Sequence, residues 1–188
     1  DSYWLILVDI SGSTGCNLGS EERVIDVEKI AAGLLYQGLT DIGDRVELYA
    51  FSTGADWHTK TSDDTKLYHL DSLENFGALE PEAANADGVA IRGSIVELNK
   101  IHAKEKNLVV ISDGRPAASN YYGDPAIADT AMAFQEAEVQ GIRTLYFNID
   151  NQAADYFPQL TRPCTYAVSL PSVQKLPHSV MDFVTLFG

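Results

Sequence analysis

Short continuous apolar runs alternate with stretches of helical spacing along the whole chain. Tyr3–Val8 (YWLILV), Val46–Phe51 (VELYAF), Asn107–Ser112 (NLVVIS) and Arg143–Ile149 (RTLYFNI) are aromatic and β-branched runs bounded by turn residues. That is the pattern of strands buried on both faces, and Thr165–Ser169 reads as one more. Between them, Arg23–Leu39 carries apolar residues at Val24, Val27, Ile30, Ala31, Leu34 and Leu35, which is helical spacing. Val89–Ala103, Ala126–Gln140 and Leu176–Phe187 predict further helices, the second entered through a Gly123-Asp124-Pro125 turn. Thr53–Ser72 is polar, with Trp57, Leu67, Tyr68 and Leu70 as its apolar points, and predicts a hairpin or an edge strand. The β-α-β-α rhythm predicts an α/β fold: a doubly wound, mostly parallel sheet with one antiparallel edge strand and roughly six helices, joined by right-handed crossovers.

Composition narrows what such a fold can do. A chain of 188 residues is one domain's length, and 45% hydrophobic with 10% aromatic residues is enough to bury a real core. The 13 Lys+Arg against 27 Asp+Glu give 13 − 27 = −14. That balance argues against nucleic acid, whose phosphates call for clustered Lys and Arg, and against anionic membrane surfaces for the same reason. No apolar run approaches the ~18–20 residues of a membrane helix. Cys16 and Cys164 are too few for a disulfide framework and read as two partly buried thiols in a reducing compartment, hence a cytoplasmic protein. Asp1 is not an initiator methionine and apolar sequence begins at Tyr3, so the chain reads as a single domain cut from a longer protein.

In open parallel sheets ligands bind beyond the carboxyl ends of the strands, where strand order reverses. Two strands here end in oxygen-rich turns: one runs into Asp9-Ile10-Ser11-Gly12-Ser13-Thr14-Gly15, the other into Asp113-Gly114-Arg115-Pro116. In the usual doubly wound order they are neighbours, so both aspartates face one crevice. Alternation places Asp9, Ser11 and Ser13 on one side. An all-oxygen set of this kind suits a hard cation such as Mg²⁺, which keeps several waters and leaves room for one outside oxygen. Such a site captures a partner's carboxylate through metal.

The Asp-x-Ser-x-Ser pattern at Asp9, Ser11 and Ser13, with a strand-ending Asp113-Gly114 about 100 residues later, resembles the metal-ion-dependent adhesion site of von Willebrand factor A domains. The resemblance implies a Mg²⁺ site, with Mn²⁺ able to replace it. It also implies a third ligand from the stretch Asn85-Ala86-Asp87-Gly88-Val89-Ala90-Ile91-Arg92, where Asn85 stands at the family's threonine. Asp87 reads either as a substitute ligand or as a helix cap. Val24-Ile25-Asp26-Val27-Glu28-Lys29, Ala90-Ile91-Arg92, Ile111-Ser112-Asp113-Gly114-Arg115-Pro116 and Asp129-Thr130-Ala131-Met132-Ala133 are similar to stretches of the C-terminal domain of the NorD/CbbO group. That likeness implies a non-catalytic adaptor for a MoxR-type AAA+ ATPase. Its target is nitric oxide reductase in one branch and Rubisco in the other, captured by an Asp or Glu that it presents.

Competing chemistries fit less well. Ser11–Gly15 lacks the Gly-Lys-Ser/Thr ending of a phosphate loop, and the four histidines (His58, His69, His102, His178) show no placement that supplies a base for Ser11 or Ser13. Two cysteines and scattered histidines form no zinc ligand set. Tyr121 and Tyr122, just past the Asp113 loop, are candidate partner-binding anchors, as is Arg115 for an incoming carboxylate, while Arg92 reads as structural. The principal alternative is an adhesion or surface-binding domain with no motor partner.

Overall fold

The computed structural model describes residues 1–18, 22–54, 61–149, 155–170 and 176–187. β1 (Ser2–Asp9) is the axis of the molecule, with Tyr3 to Asp9 buried throughout. After it come a single 3₁₀ turn at Gly12–Gly15, α1 (Val24–Asp41), β2 (Arg45–Ser52), a second 3₁₀ turn at Ser62–Asp64 and β3 (Lys66–Leu70). Short α2 (Leu73–Gly77), α3 (Asp87–Asn99) and β4 (Glu105–Ser112) follow. A two-residue hairpin, β5 (Ala117–Ala118) and β6 (Tyr121–Tyr122), leads into α4 (Gly123–Val139), and β7 (Ile142–Asn148), α5 (Phe157–Thr161), β8 (Tyr166–Ser169) and α6 (Leu176–Phe187) complete the chain.

The six-stranded sheet has the order β3-β2-β1-β4-β7-β8, parallel except for the antiparallel edge strand β3. This is the predicted α/β architecture, with the reversal of strand order falling between β1 and β4. Those two strands pair in parallel from Ser2↔Glu105 to Val8↔Ile111. Strand alternation divides the core into two layers. Trp4, Ile6 and Val8 pack with Val109 and Ile111 beneath α1 and α6. Tyr3, Leu5 and Leu7 pack with Leu108 and Val110 beneath α3, α4 and α5. The edge-to-face contacts of Phe183 with Trp4 and Phe147, both at 5.5 Å between ring centroids, tie α6 to the sheet.

Three expectations need correction. The Gly123-Asp124-Pro125 stretch is the first turn of α4 rather than a turn before it; Pro125 is tolerated there because first-turn amides have no partner within the helix. α3 begins at Asp87 and ends at Asn99, earlier at both ends than its apolar spacing indicates. Cys16 is exposed rather than partly buried, while Cys164 is half-buried as expected, its thiol pushed up to about 12 by burial; the two are free. Trp57 and His58 lie outside the described residues. No helix among the described residues is long and apolar enough to cross a membrane.

Candidate cation site at the head of the sheet

The site forms where β1 and β4 end side by side. Asp9 has the parity of Leu5 and Leu7, and Ser112 that of Leu108 and Val110, so both side chains leave the sheet on the α3 side. There they meet Asp87, the first residue of α3. Ser112 Oγ donates to Asp9 Oδ2 at 2.9 Å and lies 3.3 Å from Asp87 Oδ2, while it accepts the Gly114 N–H at 3.0 Å. Asp9 and Asp87 are both fully buried.

Asp9, Ser11 and Ser13 do come together, though through a different local geometry from strand alternation. β1 stops at Asp9, whose Oδ1 accepts the Ser11 N–H at 2.7 Å. The 3₁₀ turn then brings the Ser11 and Ser13 hydroxyls to 3.1 Å from each other. Thr14 closes that turn by donating to the Ser11 carbonyl at 2.6 Å. Ser11 is buried and Ser13 exposed, so the pair spans the boundary between the buried carboxylates and solvent.

Asn85 lies at the centre, but its amide nitrogen, not its oxygen, faces the carboxylates. Nδ2 donates to Asp87 Oδ1 at 2.8 Å and to Asp9 Oδ2 at 3.2 Å. Oδ1 accepts the Ala117 N–H at 3.1 Å, and turning the amide over would set two donors against each other there. In this arrangement Asn85 bridges two acids. A backbone bridge between Asn85 and Ala117 binds the loop before α3 to the loop after β4.

Asp113 begins that second loop. Its carbonyl accepts from the Tyr156 hydroxyl at 3.1 Å, and Gly114 takes the turn at φ +91°, with its α-carbon so close to Asn148 Oδ1 and the Tyr156 hydroxyl that a side chain would collide with both. Arg115 is exposed at the rim, its guanidinium 5.3 Å from the Tyr156 ring centroid.

The tyrosine pair divides. Tyr121 donates to Asp129 Oδ2 at 2.6 Å and is half-buried, whereas Tyr122 is 68% exposed. Both line an open groove of about 580 Å³ with Pro125 and Asp129. Arg92 is structural: it holds Glu136 through Nε and Nη2 and Asp129 through Nη1. His69 and His102 sit away from these residues, bonded or close to partners at the sheet's edge and foot.

The electrostatics are one-sided. Burial first, and then the charge of Asp87, push the Asp9 carboxyl up to about 7 against hydrogen bonds from Ser11 and Ser112. Burial and Asp113 do the same to Asp87. Glu28, which sequence reasoning gave no role, is fully buried on α1; burial and then Asp9, Asp113 and Asp87 hold its carboxyl well above the usual range. Neither Glu28 oxygen has a hydrogen-bond partner among the described residues. Its signal was readable: position 28 falls on the buried stripe of Val24, Val27, Ala31 and Leu35, where a lone acid has no place in a purely structural helix. Ser112 was readable as well, from strand parity.

These donors fit a hard divalent cation. All are oxygens, and neither Asp9, Asp87 nor Glu28 has an ion pair with a lysine or arginine among the described residues. No three His, Cys, Asp or Glu side chains among those residues form a ligand cluster by themselves. Hydroxyls and water would have to complete the shell of any cation held here, as Mg²⁺ prefers.

Known proteins resemble the chain in sequence and in fold. No family model matches the chain. It is 31% identical over 164 residues to Protein NorD of Stutzerimonas stutzeri, covering 85% of this chain and 27% of that protein. It is 30% identical over 176 residues to Protein NorD of Brucella abortus, covering 92% and 28%. The chain thus spans about a quarter of the length of the curated relatives it matches. Among solved structures, a von Willebrand factor type A protein from Catenulispora acidiphila superposes with a TM-score of 0.63 at 15% identity, covering 98% of this chain and 42% of that one.

Proposed function

We propose that this chain, which has the von Willebrand factor A fold and is similar in sequence to one segment of NorD proteins, is a metal-dependent protein-binding module. A Mg²⁺ ion, or Mn²⁺ in its place, is held at the head of the sheet by Asp9, Ser11, Ser13 and Asp113. It takes a partner's Asp or Glu as an outside ligand. The observation that carries this reading is the meeting of buried, uncompensated carboxyls with a solvent-facing pair of serine hydroxyls between β1 and β4. Asn85 supports the site by holding Asp9 and Asp87 together, and its oxygen joins the metal only if the Ala117 bond opens.

The ion supplies positive charge and open coordination positions. The chain's own residues do the rest: the β1 and β4 ends fix the carboxylates, and the 3₁₀ turn presents Ser13 outward. Arg115 and Tyr122 extend the contact surface beside the ion. The role proposed for these residues is binding: they hold the ion and present it to a partner.

The similarity to NorD favours a MoxR-type AAA+ ATPase as motor partner and nitric oxide reductase, rather than Rubisco, as the target. Capture assays with immobilised chain test this. In Mg²⁺ buffer the wild type retains a MoxR-type ATPase or its target, and EDTA or Asp9→Ala abolishes retention. Equal capture in all three conditions overturns the metal bridge.

A further inference from the structure

We infer that Asp87 and Glu28 are working parts of the cation site, acting as positioning residues that hold the ion's water shell and supply its countercharge. This rests on the cation reading above and extends it to two residues outside the Asp-x-Ser-x-Ser pattern.

Three observations carry it. Asp87 and Asp9 are joined through shared donors, Ser112 Oγ and Asn85 Nδ2, so the two carboxylates form one unit. Glu28, on α1 in the other layer of the core, is fully buried with both oxygens unpartnered among the described residues, and it feels the charges of Asp9, Asp113 and Asp87. Three cations of the flanking elements are already engaged, and Arg115, exposed at the rim, lies over the Tyr156 ring. Arg92 is occupied by Asp129 and Glu136, Lys29 by the carbonyls of Gly77 and Leu79, and Arg23 by Asp26 and Glu80.

A buried carboxylate with no cation paired to it is costly, and several sharing one site repel one another. Replacing such groups by neutral isosteres should therefore relieve the fold when no cation is present. A divalent ion reverses the balance: buried countercharge draws it in, and groups behind the ligands orient its waters. A residue with a purely structural role cannot give both effects, because its loss weakens the fold with or without metal.

Calorimetric Mn²⁺ titrations and thermal melts in EDTA of the wild type, Asp87→Asn and Glu28→Gln test the inference. Each variant is expected to bind Mn²⁺ about 10-fold or more weakly, within the range seen when groups behind a metal's ligands are removed. Each is also expected to melt higher than wild type in EDTA. Unchanged Mn²⁺ affinity in both variants overturns this inference and leaves the cation reading standing. Variants that melt lower in EDTA mark the two acids as structural and overturn it likewise. No Mn²⁺ binding by the wild type overturns the cation reading together with it. Should Asp87→Asn lose native far-UV circular dichroism, Glu28→Gln, which changes no hydrogen bond seen here, decides alone.

Discussion

Helix α3 carries two acid-rich environments that differ in one respect. At Arg92, a guanidinium one-third exposed meets Asp129 and Glu136 at 2.8–3.0 Å, with Tyr121 donating to Asp129. One turn earlier, Asp87 meets Asp9 and the field of Glu28 and Asp113, with no cation of the protein's own paired to Asp9, Asp87 or Glu28 among the described residues. The first cluster is complete as folded: Asp129 is held below the usual carboxylate range by Arg92 and Tyr121 despite its partial burial. The second is incomplete, with its carboxyls pushed upward. Charge balance, rather than the number of acids, separates this structural network from the proposed cation site.

Gly88 stands between the two, and its α-carbon lies against Asp129 Oδ2 and the Tyr121 hydroxyl with no room for a methyl group. Gly88→Ala should disrupt the balanced cluster most, costing about 3 kcal/mol in denaturant titration, the upper end for overpacking. A near-neutral effect would show that the cluster yields and is not the rigid member of the comparison.

The unbalanced cluster should reveal itself in pH dependence. Asp9 and Asp87 have folded values raised from 3.8 to about 7, so between those limits the native state binds more protons than the unfolded chain. Stability in EDTA should therefore be greatest at and below about pH 4 as far as these groups decide it, and fall as pH rises from there through 7. Saturating Mg²⁺ should flatten that fall, because the cation binds the ionised form. A melting temperature that rises with pH in EDTA would reverse the sign and contradict the assignment.

Arg92→Met should cost about 1 kcal/mol, since its partners are partly solvated, and the loss should be the same with and without Mg²⁺. Any strong cation dependence of that loss would merge the two clusters into one. Smallest of all, Arg115→Ala removes an exposed contact over Tyr156 and should change stability by about 0.5 kcal/mol. Under the proposed function it should still weaken capture of an acidic partner.

The sheet was legible because strands buried on both faces leave continuous apolar runs, and β1, β2, β4 and β7 appear where Tyr3–Val8, Val46–Phe51, Asn107–Ser112 and Arg143–Ile149 predict them. The neighbourhood of Asp9 and Asp113 followed from topology alone. What stayed hidden depends on contacts that periodicity does not encode. α2 and α5 are five residues each, too short to show a helical period. The orientation of Asn85 is decided by one amide of a loop more than 30 residues away. The bonds of Tyr121 to Asp129 and Thr130 stayed hidden because a sequence does not show those residues coming back within reach eight and nine positions later.

The bridge between Asn85 and Ala117 has a mechanical meaning. The Ala117 N–H is shared between the Asn85 backbone carbonyl and the Asn85 side-chain oxygen, both at 3.1 Å, while the far end of that side chain grips Asp87 and Asp9. A single residue thus links a surface loop to the buried acids like a lever with its fulcrum at the strand ends. Whatever pulls on the loop after β4 from outside must also turn the amide inside.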